Sequence, residues 1–186
     1  LQGSTHSIAT VSNLSYFDVH ATTTPTTDTS LSAQVDYRIW ENTVIIGNNE
    51  MYLYSIRFRN IGSIDAEDID NFRLYVAGVQ YGDAVANQDA NGYITFDLSD
   101  DPVKMNTGTH SIKVLADVWG GSTRTVTVGL RNTADAVFIE DDYDQPILVQ
   151  ANSTTFSARD AAAQTLASGD ITFTKESDSA SGDLID

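Results

Sequence analysis

Carboxylates are the commonest reactive groups in this 186-residue chain: 26 Asp and Glu stand against 10 Lys and Arg, a formal net charge of -16. They gather in short runs: Asp65, Glu67, Asp68 and Asp70; Asp97, Asp100 and Asp101; Glu140, Asp141, Asp142 and Asp144; and the looser Asp83 and Asp89. Calcium takes several hard oxygen ligands, and loops dense in Asp supply them. Asp65, Glu67, Asp68, Asp70, Glu140, Asp141, Asp142 and Asp144 are therefore candidate calcium ligands. No run has the spacing of an EF-hand loop. The competing reading is a solvated acidic loop, and Asp68 to Asn71 also suits a turn whose side chains bond the backbone.

Two well-placed carboxylates would also serve glycoside hydrolysis, but nothing in the spacing selects a pair. His110 and the many Ser residues are the raw material of a nucleophilic triad, yet no Gly-x-Ser-x-Gly elbow occurs. No catalytic residue is assigned, and the chain does not read as an enzyme. His6, His20 and His110 lack metal-ligand spacing, and cysteine is absent, which excludes disulfides, thiolate nucleophiles and Cys-based zinc sites. No cofactor is required by any motif. Aromatic rings bind sugars by stacking, and Trp40 and Trp119 are candidates, with Tyr75, Tyr81 and Tyr143 behind them. Trp119 precedes Gly120-Gly121 and suits a loop rim, although such a Trp often covers one end of a core. Asn13-Leu14-Ser15 and Asn152-Ser153-Thr154 make Asn13 and Asn152 formal glycan acceptors. Their chance occurrence is expected in a chain so rich in Ser and Thr.

Phosphate binding needs clustered cations, so neither nucleic acid nor an anionic membrane surface is an expected partner. No apolar run is long enough to insert in a bilayer. Leu1 to Thr5 carries no basic or apolar stretch of a signal peptide, and the first residue is expected to be a processing product or the start of a cropped chain.

The elements that must position these groups show a period of two. Tyr52, Tyr54, Ile56 and Phe58 alternate with Ser55, Arg57 and Arg59. Phe72, Leu74 and Val76 repeat the pattern, as do Ile94, Phe96 and Leu98, then Ile112, Val114, Ala116 and Val118, then Val126, Val128 and Leu130. Such alternation places one face on a core and the other in water. Turn chemistry separates the runs at Asn60 to Ser63, Gly82-Asp83, Asn91-Gly92, Thr107-Gly108 and Gly120 to Ser122. The loops are too short for crossover helices. An all-β, Ig-like antiparallel sandwich is predicted, with Tyr54, Ile56, Phe58, Phe72, Leu74, Phe96, Val114 and Val128 in its core. A short helix over Ala158 to Ala167 and a helical turn near Asp65 to Asp70 are the only helical expectations.

Three parts are expected: an arm and linker at 1–30, a sandwich at 31–174 and a flexible acidic tail at 175–186. The arm alternates over Ile8 to Val11 and Leu14 to Val19, and Thr22 to Ser30 reads as the linker.

The sequence Leu53-Tyr54-Ser55-Ile56-Arg57-Phe58 is followed by Gly62-Ser63 and by Asp68-Ile69-Asp70-Asn71-Phe72-Arg73-Leu74-Tyr75. Gly92-Tyr93-Ile94-Thr95-Phe96-Asp97-Leu98 comes next, then Gly108 leading to Ala116-Asp117-Val118. From Asn49 to about Phe156 this order resembles the Ig-like β-sandwich modules of bacterial cell-surface proteins (surface layers, fibres and adhesins), as in ultrasmall environmental bacteria. The resemblance implies an extracellular location and a structural or adhesive role. An open sheet edge accepts another chain's strand through main-chain hydrogen bonds. The expected function is thus a subunit that polymerises with copies of itself by strand donation or edge pairing. Ile8, Val11, Leu14, Tyr16, Phe17 and Val19 are the apolar residues of the donating arm. The alternatives are that the arm pairs with its own domain, or that the chain is an adhesin module binding a carbohydrate or a receptor.

Overall fold

The computed structural model describes residues 14–22, 24–151 and 155–168. The strands are, in order, β1 (Tyr16–Val19), β2 (Asp28–Leu31), β3 (Gln34–Gly47), β4 (Met51–Asn60), β5 (Ile69–Val76) and β6 (Val79–Val85). Then come β7 (Tyr93–Asp97), β8 (Val103–Met105), β9 (Gly108–Val118), β10 (Thr125–Val126) and β11 (Val128–Leu130). A 3-10 turn at Thr133–Asp135 leads into β12 (Ala136–Glu140), β13 (Pro146–Ile147), β14 (Val149–Ala151), β15 (Arg159–Asp160) and β16 (Gln164–Leu166).

These strands form a β-sandwich. One sheet runs β14-β1-β3-β9-β5-β6. The other is built on β4, which carries β12 and β11 along one edge and β7 and β8 along the other, with β13 and β15 outside them. A short third sheet, β10-β16-β2, completes the fold. The expected antiparallel pairing holds throughout except in β1 with β14 and β2 with β16, which are parallel. In both pairs the partners lie far apart in the chain, so no hairpin dictates their direction.

The core is the inward residues of both sheets. Phe17 stacks on Phe138 at 4.1 Å between centroids, Trp40 meets Phe58 at 4.8 Å, and Phe58 meets Phe96 edge-on at 6.3 Å. Ile56, Phe58, Phe72, Leu74, Phe96, Val114 and Val128 are buried as expected. Tyr54 is not in the core. The pairing of β4 with β12 shifts register between Val137 and Phe138, so two residues of β4, Tyr54 and Ser55, separate inward Leu53 from inward Ile56. This bulge reverses the alternation. Met51 and Leu53 enter the core, and Tyr52 and Tyr54 lie outside it.

Two further expectations are corrected. Ala158 to Ala167 contains no helix: Arg159–Asp160 pairs with β11, and Gln164–Leu166 pairs with β10 and β2. Alanine-based propensity is a weak preference, and these pairings, with burial of Ala161 and Leu166, override it. Asp65 to Asp68 makes a tight turn closed by the Asp68 N–H on the Asp65 carbonyl, and Ile69 and Asp70 already belong to β5. The stretch read as a linker is tied down: Thr24 bridges to Glu41, and Asp28–Leu31 is β2. Ile8, Val11, Asn13, Asn152 and the 175–186 tail lie outside the described residues.

Candidate functional site

β1 occupies a slot in the first sheet. It pairs antiparallel with β3 and parallel with β14, and Phe17 and Val19 are fully buried. Tyr16 lies over Gly47, where any Cβ would collide with its ring. Ser15 Oγ donates to the Asn49 carbonyl at 2.6 Å, and Arg159 Nε donates to the Val19 carbonyl at 3.0 Å. Beyond β1 the chain continues along β3, with the Asn42 side chain donating to the His20 carbonyl and to Thr22 Oγ1 at 2.8 Å each. Leu14, Tyr16, Phe17 and Val19 therefore fill a position within this sandwich, not a free arm. Segment 25–28 then borders a groove of about 590 Å3 on the outer face of the sheet, lined by Tyr37, Arg38, Lys113 and Leu115 among others.

The two tryptophans part company. Trp40 is 1% exposed, and its indole N–H donates to the Arg159 carbonyl at 2.7 Å. It is a core residue and offers no face to a sugar, because β3 turns it inward against Phe58. Trp119 is 55% exposed. Its Nε1–H donates to Asp70 Oδ1 at 2.7 Å, and its backbone N–H donates to the Asp68 carbonyl, which fixes the ring at the rim of a cleft of about 400 Å3. Leu31, Gly120, Gly121 and Leu166 help line that cleft. Gly121 sits at φ +99, where a side chain is strained.

Two of the acidic runs meet a cation from elsewhere in the fold. Arg124 pairs with Asp65, and its guanidinium is held above the usual arginine range mainly by that bond. Asp68 and Asp70 serve the Trp119 loop as above, and Glu67 is exposed. In the second run Glu140 is fully buried, accepting from the Asn49 side chain and, at 2.8 Å, from the Tyr143 N–H. Lys104 bridges Glu50 at 2.5 Å and Asp141 at 3.3 Å, and these carboxylates raise its pKa. Asp142 and Asp144 are exposed. Among the described residues no three His, Asp or Glu side chains converge as a bound cation requires.

His110 bonds the Asn106 carbonyl at 2.7 Å, not a serine or a carboxylate. Among the described residues no helix is long and apolar enough to cross a membrane.

Sequence reasoning missed a buried polar cluster on the first sheet and a cationic face on the second. Asp117 on β9 accepts from the Asp36 N–H at 2.8 Å, Asn71 Nδ2 at 2.7 Å and Arg73 at 2.5 Å, and Arg73 also reaches Asp36 at 3.0 Å. Burial alone would raise the Asp117 pKa, but these donors outweigh it and hold it below the usual carboxylate range. On β4, Arg57 and Arg59 both lie over the Tyr93 ring, at 4.8 and 5.4 Å. Arg57 Nε also pairs with the fully buried Asp135 at 2.8 Å. The signal was present: Arg57 and Arg59 are two residues apart in an alternating strand, which places both on the solvent face.

No protein-family model matches the chain, and no curated protein does. Solved structures give distant likenesses. The seventh ScaB type I cohesin from Pseudobacteroides cellulosolvens shares 10% identity at a TM-score of 0.35, over 87% of this chain and 99% of that one. A mutant of the CFA/I adhesin CfaE of enterotoxigenic E. coli shares 6% identity at a TM-score of 0.35, over 84% of this chain and 49% of that one.

Proposed function

We propose that this chain is a structural module of an extracellular assembly, working through contacts with copies of itself and not through catalysis. The observation that carries the reading is the β1 slot. A strand near the N-terminal end lies between β3 and β14, held by main-chain pairing and by two apolar anchors, Phe17 and Val19. The same segment of a neighbouring copy would make the same bonds. Residues 22–27, extended, span about 20 Å, enough to lead a strand from one body toward the next. Exchange of this kind runs head to tail and builds a fibre.

The test is removal of residues 1–22. The full chain is expected to form polymers visible by negative-stain microscopy. The shortened chain is expected to lose them and to melt at a lower temperature. A peptide of residues 1–22 restores the melting temperature, since binding to the native state stabilises it by mass action. A full chain that stays monomeric at every concentration, or a shortened chain that still polymerises, rejects strand donation.

Trp119 favours a second reading, an adhesin module that binds carbohydrate, because its exposed ring is held rigid at a cleft. Under that reading Trp119→Ala abolishes glycan-array binding while the melting temperature stays within a few degrees of the parent. Equal binding by parent and variant would reject it.

A further inference from the structure

The Trp119 cleft lies where the described residues end. β2 and β16 run parallel into it, and the chain at their ends, Leu31 to Ala33 and Leu166 to Ser168, lines two of its sides. Trp119 to Ser122 lines the third. Leu31 and Leu166 are buried, whereas the Trp119 ring stands exposed on the rim. No side chain lining the cleft is ionisable, in a chain whose net charge is -16. An exposed indole beside buried leucines marks a contact site for an uncharged, apolar occupant.

The residues that follow Ser168 lie outside the described set, and their sequence contains such an occupant. In Gly169-Asp170-Ile171-Thr172-Phe173-Thr174-Lys175 the apolar residues Ile171 and Phe173 alternate with polar ones, and the sandwich expected from the sequence extends to 174. Beyond Lys175 the only large apolar residues are Leu184 and Ile185. Ile171 and Phe173 stand three and five residues past Ser168. An extended chain therefore keeps them within about 10 and about 17 Å of the cleft wall. A short tether of this kind holds a segment at an effective concentration on the order of millimolar.

We propose that Ile171 and Phe173 fold back over the cleft of their own chain, with the Phe173 ring against Trp119. Lys175 then reaches the acidic side of the rim. There the Asp68 carboxylate lies so close to Gly120 and Gly121 that a Cβ on either would come within 3.0 and 3.2 Å of it. Of the neighbouring acids, Asp65 is taken by Arg124 and Asp70 by the Trp119 indole, while Asp68 has no ion pair among the described residues. The same segment of a second copy lacks the tether, and a sugar has to displace it. The contact uses no residue of β1 and is independent of strand donation. It closes the site on which the carbohydrate reading depends.

Acrylamide quenching of tryptophan fluorescence in the full chain tests the proposal. Trp40 is buried, so the quenched signal belongs to Trp119, and Trp119→Phe verifies the assignment. The double variant Ile171→Ser, Phe173→Ser is expected to raise the quenching constant severalfold. The control Leu184→Ser, Ile185→Ser is expected to keep the parent's value. Circular dichroism verifies that each variant keeps its fold. The parent's shielding is expected to persist unchanged on dilution. A parent quenched as freely as the Ile171 and Phe173 variant overturns the proposal. Shielding that is lost on dilution overturns it in favour of a second copy's segment. Glycan-array binding is a separate readout. If the cleft takes a sugar, the Ile171 and Phe173 variant binds it more tightly than the parent. Binding by neither, with Trp119 shielded, rejects the carbohydrate reading and leaves the covered cleft standing.

Discussion

Truncation of Phe58 to Ala is expected to destabilise the chain by about 3–5 kcal/mol. Phe58 is fully buried on β4, and it is one of the rings through which the two sheets meet. Trp40, from the first sheet, lies 4.8 Å from it, and Phe96, from its own sheet, lies 6.3 Å away. Removing the ring leaves a void between β3 and β4 that backbone pairing on both strands prevents from collapsing. Urea unfolding followed by tryptophan fluorescence reads the effect as a lower midpoint with an unchanged slope. Tyr54→Ala is the control. Its side chain lies outside the bulged strand, and the expected loss is below about 1 kcal/mol. A Tyr54 variant as damaged as the Phe58 variant would reject the register described for β4.

Replacing Asp117 with Ala is expected to cost on the order of 3 kcal/mol near neutral pH. The loss leaves the Asn71 side chain and the Asp36 N–H without their acceptor and Arg73 with Asp36 as its remaining carboxylate. Asn71 is itself held at φ +52, so its side-chain bond fixes an unfavourable backbone. The pH dependence has a definite sign. The folded-state pKa of Asp117 is lowered, so the unfolded chain takes up its proton first as pH falls. The stabilisation is complete above the unfolded value of about 4 and disappears as pH drops through the folded value. The stability gap between the parent and an Asp117→Asn variant should therefore narrow steadily below about pH 4. A gap that stays constant from neutral pH to pH 2 would show that Asp117 is not the titrating group.

Both predictions rest on information of different origin. The sandwich class was legible in the chain because alternation is a local property. Phe72, Leu74 and Val76, or Ile112, Val114 and Ala116, reach one face of a strand whatever surrounds them, and each of these is buried. The turn at Asn91-Gly92 was legible for the same reason: Gly92 sits at φ +80, backbone that glycine adopts without strain. Gly82-Asp83, read as a turn, lies instead within β6, where the pairing with β5 shifts register. The solvent position of Arg57 and Arg59 follows from the same period of two. Trp119 on a rim was readable from the glycines that follow it.

Tertiary structure decided the rest. The bulge at Tyr54 and Ser55 exists because β12 pairs with β4 out of step, and the residue types of β4 do not encode a mismatch with a strand so far along the chain. The 158–167 segment became strand because β10 and β11 offered it edges. The acidic runs look alike in sequence, yet Lys104 and Arg124 arrive at two of them from distant strands and loops and pair with one carboxylate in each, Asp141 and Asp65. Trp40 and Trp119 are equally plausible as sugar platforms until β3 turns one into the core. The slot for β1 is formed by β3 and β14, which lie near opposite ends of the described chain. A contact between distant segments depends on the summed free energy of the whole packing, to which each residue contributes little. Local patterning therefore sets which residues can be buried, and only the assembled sheets set what they are buried against.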